Sequence, residues 1–391
     1  MISPVMPTYA RTAHAFVKGE GAWLVDETGR RHLDFGAGIA VNCLGHAHPK
    51  LVAALTEQAS QVWHTSNLYR VPNQEKLARM LSDNTFADTA FFTNSGAEAM
   101  ELCIKLSRKY QSHIDHPEKT EIITFEGCFH GRTIATISAA GAPKLTDGFG
   151  PLLPGFIQVP FGDVDALRAA ITDKTAAIFV EPVQGEGGIV PAPAGFLTAI
   201  RALCDEAGAL MVLDEIQCGV GRTGKLFAHE WSGVTPDVMG IAKGIGGGFP
   251  IGACLATERA AAGMVAGTHG STYGGNPLGA SVACAVLDEV LSDGFLDNVR
   301  RTASALNQKL GALIDAHPDT LESARGEGLM MGIKCKAANM DIVNACYAED
   351  LLTVPAGDNV VRILPPLNVT PEEIDLAISK IDAACTAIET A

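Results

Sequence analysis

The 391-residue sequence has little positive charge and no closely spaced pair of cysteines. Its 29 lysines and arginines are outnumbered by 44 aspartates and glutamates, and the net charge of −15 argues against binding to nucleic acid or anionic lipid. No uninterrupted run of about 18 apolar residues occurs, so we expect no transmembrane helix. The ten cysteines lie in apolar runs without a CxxC spacing, which is typical of buried, reduced thiols. Because the N-terminus also lacks the apolar core of a signal peptide, we expect a soluble, cytoplasmic protein.

The composition that remains is that of a globular protein with a large core. Hydrophobic residues make up 47% of the chain and charged residues 19%, which excludes intrinsic disorder as the main state. At about 150 residues per domain, the length allows two or three domains.

Short apolar runs alternate with amphipathic helical patterns between about residues 89 and 257. Several runs are apolar at successive positions, as in Ile178–Val180 and Leu210–Leu213. Strands that are covered on both faces have this pattern, so we predict an α/β fold with a mostly parallel, seven-stranded sheet. The candidate strands are Thr89–Asn94, Glu121–Phe125, Phe156–Pro160, Ala176–Glu181, Leu210–Asp214, Val238–Ala242 and Ala253–Ala256.

The sequence after about residue 275 is mainly helical, with two short extended segments. Its last helix has a clear start, because Thr370 can cap the helix and Glu373 can complete a capping box. We predict a large α/β domain over residues 47–280 and a smaller α+β domain built from residues 1–46 and 281–391.

A glycine-rich segment over Gly219–Lys225 matches both GxGxxG and the opening of a P-loop. A P-loop nucleotide hydrolase is therefore one alternative. It is weakened because position 226 is leucine, which offers no hydroxyl for magnesium, and because no helical pattern follows Lys225. We also predict no metal site, since His46, His48 and His64 lack suitably spaced carboxylate or cysteine partners.

The residue that indicates a particular chemistry most clearly is a lysine at the end of an apolar strand. Lys243 follows Val238–Ala242 and precedes a run of glycines through Gly248. The absence of side chains beside this lysine suggests space for a flat, bulky group. A lysine in such a pocket loses its charge more readily, so its amine can form a Schiff base with an aldehyde.

Two further elements point to a phosphate-bearing ring. The segment Thr93–Glu98 begins an amphipathic helix. Its serine could be an ordinary helix cap, or the free N–H groups of the helix start could bind a phosphate. Asp214 ends an apolar strand 29 residues before Lys243, where it could be a structural cap or the anion that keeps a pyridine nitrogen protonated.

Together these segments resemble the successive motifs of the class III pyridoxal-phosphate aminotransferases. The resemblance runs in family order over nearly the whole chain, and it implies a fold-type-I architecture with pyridoxal 5′-phosphate as cofactor. The motifs are Phe92–Glu98, Phe129–Thr133, Val183–Gly188, Leu213–Gly224, Ala242–Gly252, Gly270–Pro277 and Arg325–Met330.

The resemblance implies a role for each matching residue around the cofactor ring. Lys243 would hold the cofactor and then shuttle the substrate proton, while Asp214 would pair with the pyridinium nitrogen. Phe129 would stack on the ring, and Gln217 would reach its hydroxyl.

The family also implies that the phosphate is bound by residues of two chains. Ser95, Gly96 and Ala97 would contact the phosphate from the helix start. Thr272 would do so from a second subunit, so the resemblance implies a homodimer with shared active sites.

Two arginines would serve the two substrates. Arg132 resembles the family residue that binds the carboxylate far from the reacting amine, and Arg362 the one that binds the carboxylate beside it. Glu186 would neutralise Arg362 when the substrate lacks that second carboxylate. Ser271 is also assigned to the substrate site.

The motifs are most similar to members that transfer the terminal amine of N2-acetyl-L-ornithine to 2-oxoglutarate, in arginine biosynthesis. Amino-acid and 2-oxo-acid substrates are therefore the expected partners. The alternatives within the family are transfer from succinylornithine, ornithine, succinyl-diaminopimelate or 4-aminobutyrate.

Overall fold

Strands and helices alternate along the computed structural model, which describes residues 4–390. The strands are β1 Phe16–Glu20, β2 Trp23–Asp26, β3 Arg31–Asp34, β4 Thr89–Thr93, β5 Glu121–Phe125, β6 Phe156–Val159, β7 Thr175–Val180, β8 Val183–Gln184, β9 Val190–Pro191, β10 Leu210–Asp214, β11 Val238–Ile241, β12 Gly252–Ala256, β13 Leu321–Glu327, β14 Met330–Cys335, β15 Leu351–Leu352, β16 Val354–Ala356 and β17 Val360–Ile363. The helices are α1 Ala37–Ala40, α2 Pro49–Ala59, α3 Pro72–Asn84, α4 Gly96–His113, α5 Ile134–Ala140, α6 Pro143–Thr146, α7 Val164–Ala170, α8 Phe196–Ala207, α9 Glu258–Ala261, α10 Pro277–Val290, α11 Phe295–Ala316, α12 Asn339–Ala348 and α13 Pro371–Glu389.

A seven-stranded sheet in the order β4-β12-β11-β10-β7-β5-β6 forms the centre of the molecule. β10 pairs in parallel with β11 and β7, and β5 pairs in parallel with β7 and β6. Only β12 runs antiparallel to its neighbours in this sheet, β11 and β4. The predicted mostly parallel sheet is therefore confirmed, and each predicted strand agrees with the structure to within one residue at either end.

The successive apolar residues of β10 pack on both faces of the sheet. Leu210 and Val212 lie in a core cluster with Met100 of α4, whereas Met211 and Leu213 lie in a cluster with α8. Because helices cover both faces, every residue of β10 is buried. This double burial explains why the strand has no alternation of polar and apolar residues.

Two smaller sheets, β1-β2-β3-β15 and β13-β14-β17-β16, lie outside the central one. β15 pairs in parallel with β3, which brings the N-terminal segment beside the C-terminal part of the chain. The predicted capping box of the last helix is confirmed, because Thr370 Oγ1 accepts from the Glu373 N–H and Glu373 Oε2 accepts from the Thr370 N–H. The division at residues 46/47 and 280/281 stays a prediction.

The ten cysteines are all free and buried. Among residues 4–390, no helix is long and apolar enough to cross a membrane.

Candidate functional site

A cavity of about 470 Å³ lies at the edge of the central sheet where the parallel strands end. Asn94, Glu181 and Ala242 each stand one residue beyond a strand, and Asp214 is the last residue of β10. Ligands of open α/β sheets bind at this edge because loops and helix starts converge there. The residues that line it include Asn94, Ser95, Gly96, Ala97, Phe129, Arg132, Glu181, Asp214, Gln217 and Lys243.

The start of α4 supplies one wall of this cavity. Ser95 caps the helix, and its side chain accepts a hydrogen bond from the Glu98 N–H at 3.3 Å. Gly96 and Ala97 form the first turn, where backbone N–H groups have no partner within the helix. An anion placed here is stabilised by these N–H groups and by the helix dipole.

Asp214 is buried in the opposite wall and is held by two hydrogen bonds. Its Oδ2 contacts His130 Nδ1 at 2.7 Å, and its Oδ1 accepts from the Ile216 N–H at 3.0 Å. Burial lowers the pKa of His130. The adjacent Cys128 and Asp214 raise this pKa by more than burial lowers it, so the net shift is strongly upward. The histidine therefore fixes the orientation of the Asp214 carboxyl group. Sequence analysis missed this pairing although His130 lies within a recognised motif.

Glu181 is a second buried carboxyl group that sequence analysis did not identify. Its Oε2 accepts from the Phe129 N–H at 3.0 Å, and its Oε1 accepts from the Gly185 N–H at 3.2 Å. Burial, together with the charge of Asp214, raises the pKa of Glu181 to about 7. Its position directly after β7 was the sequence feature that could have identified Glu181 as a site residue.

Lys243 lies between this cavity and a second one, because it lines both. Its backbone has φ +48°, which is uncommon for a residue with a side chain. Burial lowers the pKa of Lys243 to about 8, and the charge of Arg362 contributes in the same direction. At neutral pH a useful fraction of this amine is therefore unprotonated and nucleophilic.

The glycines that follow Lys243 do not serve the purpose expected from the sequence. A Cβ on Gly244 would lie 3.3 Å from Val220, and one on Gly247 would lie 2.4 Å from Leu51. These glycines thus allow close packing of the loop against the protein rather than leaving space for a ligand. Gly248, in contrast, does line the cavity.

The second cavity, of about 700 Å³, has a mainly apolar wall. Arg132 lies in it with its guanidinium group 5.5 Å from the ring centre of Phe129. It is exposed and makes no ion pair with any residue between 4 and 390, so it is available to a ligand carboxylate. The other lining residues are Thr8, Tyr9, Gly38, Ile39, Phe129, Ile134, Ile137, Leu145, Phe149, Glu186 and Lys243.

Arg362 of β17 reaches this region and pairs with Glu186. Its Nη1 contacts Glu186 Oε1, and its Nη2 lies 3.4 Å from Glu186 Oε2. The arginine also donates to Gln217 Oε1 at 3.3 Å and to the Pro355 carbonyl at 2.9 Å. Burial raises the pKa of Glu186, but the charge and hydrogen bonds of Arg362 outweigh it, so the net shift is downward.

Ser271 and Thr272 line neither cavity of their own chain. Thr272 is exposed and lines a separate depression with residues 64–67. The Ser271 hydroxyl accepts from the Gly274 N–H at 2.9 Å and lies 3.4 Å from Asn94 Nδ2. These two predicted residues are therefore not brought together with the others within one chain.

The Gly219–Lys225 segment does not form a phosphate-binding loop. Lys225 Nζ donates to the Glu230 carbonyl and lies 4.7 Å from the Trp231 ring centre. The buried Arg222 donates to backbone carbonyls, including that of Leu329 at 3.2 Å. With its lysine engaged and no helix of usable length after it, the P-loop alternative is not favoured.

A family model described as aminotransferase class-III matches residues 6–385 of the chain. A protein named acetylornithine aminotransferase from Rhodobacter capsulatus is 60% identical over 390 residues, which are 100% of this chain and 99% of the relative.

Solved structures of two related enzymes share the fold. The N-acetylornithine aminotransferase from Stenotrophomonas maltophilia is 40% identical with a TM-score of 0.86, and the match covers 98% of each chain. The ornithine aminotransferase from Toxoplasma gondii is 31% identical with a TM-score of 0.95, and the match covers 99% of this chain and 93% of that one.

Proposed function

The chain belongs to the class-III aminotransferase family, and from that premise we propose that it transfers the terminal amine of N2-acetyl-L-ornithine to 2-oxoglutarate. The products are N-acetyl-L-glutamate 5-semialdehyde and L-glutamate, and the reaction belongs to arginine biosynthesis. The 60% identity to the Rhodobacter protein against 31% to the Toxoplasma ornithine aminotransferase supports the acetylated donor.

The charge balance of the second cavity is the observation that carries this choice. Among the described residues that line it, Glu186 is the one carboxylate, and Arg362 already pairs with it. The free α-ammonium group of ornithine would therefore lie beside Arg132 and an apolar wall without an anionic partner, which is costly. An acetyl group removes that charge, and its methyl can pack against Ile137 and Leu145.

The first cavity fits pyridoxal phosphate, the cofactor of this family. A buried carboxylate, a lysine of lowered pKa and the start of α4 surround one space, which matches the ring nitrogen, the aldehyde and the phosphate. When bound, the cofactor supplies an electron sink for the negative charge that develops on the substrate carbon. The residues that would hold it are Ser95, Gly96, Ala97, Phe129, Asp214, Gln217 and Lys243.

Lys243 and Asp214 perform the chemical work of the protein chain. With the cofactor in place, Lys243 Nζ would take the proton from the substrate carbon that bears the reacting amine and would return it to the cofactor carbon on the other side of that nitrogen. Asp214, oriented by its contact with His130, would hold a proton on the cofactor ring nitrogen. Phe129 covers one face of the ring and excludes water from it.

The pair of Arg362 and Glu186 allows one site to accept two different substrates. The reacting carbon of acetylornithine bears no carboxylate, so Glu186 neutralises the buried Arg362 during that half-reaction. The dicarboxylate 2-oxoglutarate brings its own carboxylate to Arg362 and displaces Glu186. Arg132 binds the distal carboxylate of either substrate. Ser271 stays a proposed substrate residue, although it lines neither cavity of its own chain.

We further propose a homodimer in which Thr272 of each chain reaches the cofactor phosphate of the other. The segment around Thr272 contacts residues 62–69, where Leu68 is 87% and Tyr69 is 70% exposed. Such a patch of large apolar side chains is typical of a protein interface. Sedimentation should give twice the 40.9 kDa of one chain. The ten buried, reduced cysteines support a cytoplasmic location.

A panel of amine donors with 2-oxoglutarate as acceptor tests the proposed substrate. We expect kcat/KM to be highest for N2-acetylornithine, followed by N2-succinylornithine, with ornithine, succinyl-diaminopimelate and 4-aminobutyrate well below. Equal or faster turnover of ornithine would contradict the argument from cavity charge.

A further inference from the structure

Two histidines and an aspartate form a cluster outside both cavities, beside the N-terminal sheet. His14 precedes β1, Asp26 ends β2, and His32 lies in β3. One possible ligand atom from each of the three lies within 4.8 Å of the other two. We propose that His14, Asp26 and His32 form a binding site for a divalent transition metal ion that accepts imidazole and carboxylate ligands, such as Zn²⁺.

The carboxylate of Asp26 is held in the orientation that a ligand requires. Its Oδ1 accepts from the Thr28 N–H at 2.9 Å, the Thr28 hydroxyl at 2.7 Å and the Arg30 N–H at 3.0 Å. With Oδ1 fully engaged, Oδ2 is directed at His32.

His32 has the surroundings of a metal-binding histidine. The ring is completely buried, and its Nε2 lies 3.1 Å from Asp26 Oδ2. Two ligand atoms of a tetrahedral zinc site are about 3.3 Å apart when the bonds are about 2.0–2.1 Å long. On the other side, His32 Nδ1 lies 3.4 Å from Asp350 Oδ1, a carboxylate that Arg30 also contacts. A carboxylate behind the second nitrogen is the common arrangement for a zinc-binding histidine.

The position of His14 favours a metal ion over a proton between Asp26 and His32. Among residues 4–390, the buried His32 Nδ1 makes no hydrogen bond, and His32 Nε2 lies within hydrogen-bond distance of Asp26 Oδ2. A proton shared between His32 Nε2 and Asp26 Oδ2 would need only those two atoms as partners. The third group, His14, lies with its ring centre 4.9 Å from that of His32. Because His14 is partly exposed, it leaves a path for the ion and can move towards it.

A bound ion would fasten the N-terminal segment to the sheet. His14 is five residues after Tyr9, which lines the second cavity. The site would therefore hold in place the segment that leads into that cavity.

Calorimetric titration of the chelator-treated, cofactor-loaded protein with ZnCl2 tests the proposal. We expect one Zn²⁺ per chain with micromolar or tighter affinity, and a rise in Tm when the ion is added. His14→Ala should weaken binding by at least about tenfold and abolish the rise in Tm. The matched control is His116→Ala, because His116 is an exposed histidine that pairs with Glu118 elsewhere on the surface, and it should bind Zn²⁺ as the parent does.

Absence of stoichiometric binding in the parent protein would overturn the proposal and leave a proton as the cation between Asp26 and His32. Equal affinity of the parent and His14→Ala would overturn it as well. His32→Gln is the second variant, and it should also lose the Zn²⁺-dependent rise in Tm. An unchanged rise in that variant would place the ion elsewhere.

Discussion

Replacing Glu186 by alanine separates the two half-reactions. Arg362 is 2% exposed, and its other hydrogen-bond partners among residues 4–390 are the neutral Gln217 side chain and the Pro355 carbonyl. Glu186→Ala therefore leaves a buried guanidinium group without a negative charge whenever the bound substrate does not supply one.

The magnitude follows from the burial of the pair. Truncating one partner of a buried charge pair costs about 2–5 kcal/mol, and Glu186 at 32% side-chain exposure belongs near the lower end of that range. A loss of about 2 kcal/mol corresponds to an approximately 30-fold fall in kcat/KM for N2-acetylornithine. For 2-oxoglutarate we expect no loss, because this substrate brings its own carboxylate to Arg362.

Single-turnover kinetics of each half-reaction, followed by the cofactor absorbance, provide the measurement. Glu206→Ala is the control variant, since it removes a glutamate that faces Arg168 at 3.3 Å on the exposed surface. Equal losses for both substrates, or none for the donor, would refute the role of Glu186 as the interchangeable partner of Arg362.

Three further changes test the site and the fold. Lys243→Ala should abolish transamination, and normal turnover would remove the mechanism. In the parent protein, cofactor uptake by the apoenzyme should accelerate as pH rises through about 8, where this lysine loses its proton; a midpoint near the ordinary lysine pKa of about 10.4 would contradict the lowered value. Arg132→Ala should raise KM for both substrates, by about 2 kcal/mol of lost binding, and an unchanged KM would assign the distal carboxylate to another group. Thr370→Ala should lower the free energy of unfolding by about 1 kcal/mol in urea titrations without altering kcat, because only the cap of α13 is lost; an unchanged midpoint would mean that the cap contributes nothing.

The parts of the fold that were predicted correctly depend on local sequence patterns. The apolar run of β10 and the capping box of Thr370 and Glu373 are set by neighbours within a few residues, and both are confirmed. The glycines after Lys243 show the opposite case. Gly244 and Gly247 pack against Val220 and Leu51, which lie far away in the chain, so the inference that these two glycines leave space for a ligand was wrong. Gly248 does line the cavity.

The sequence by itself determined the strand runs, the helix starts and the order of the motifs, because these depend on side-chain periodicity and on capping groups close in the chain. The pairing of Glu186 with Arg362 was expected from the resemblance and not from any local pattern, and only the tertiary structure showed that His130 meets Asp214. His130 is 84 residues from Asp214, and Glu186 is 176 residues from Arg362. Neither pairing leaves a local pattern, since the partners lie on separate elements: Asp214 ends β10 of the central sheet, whereas Arg362 lies in β17 of another sheet. The same holds for His14 and Asp26, whose proximity depends on how the first strands fold back on one another.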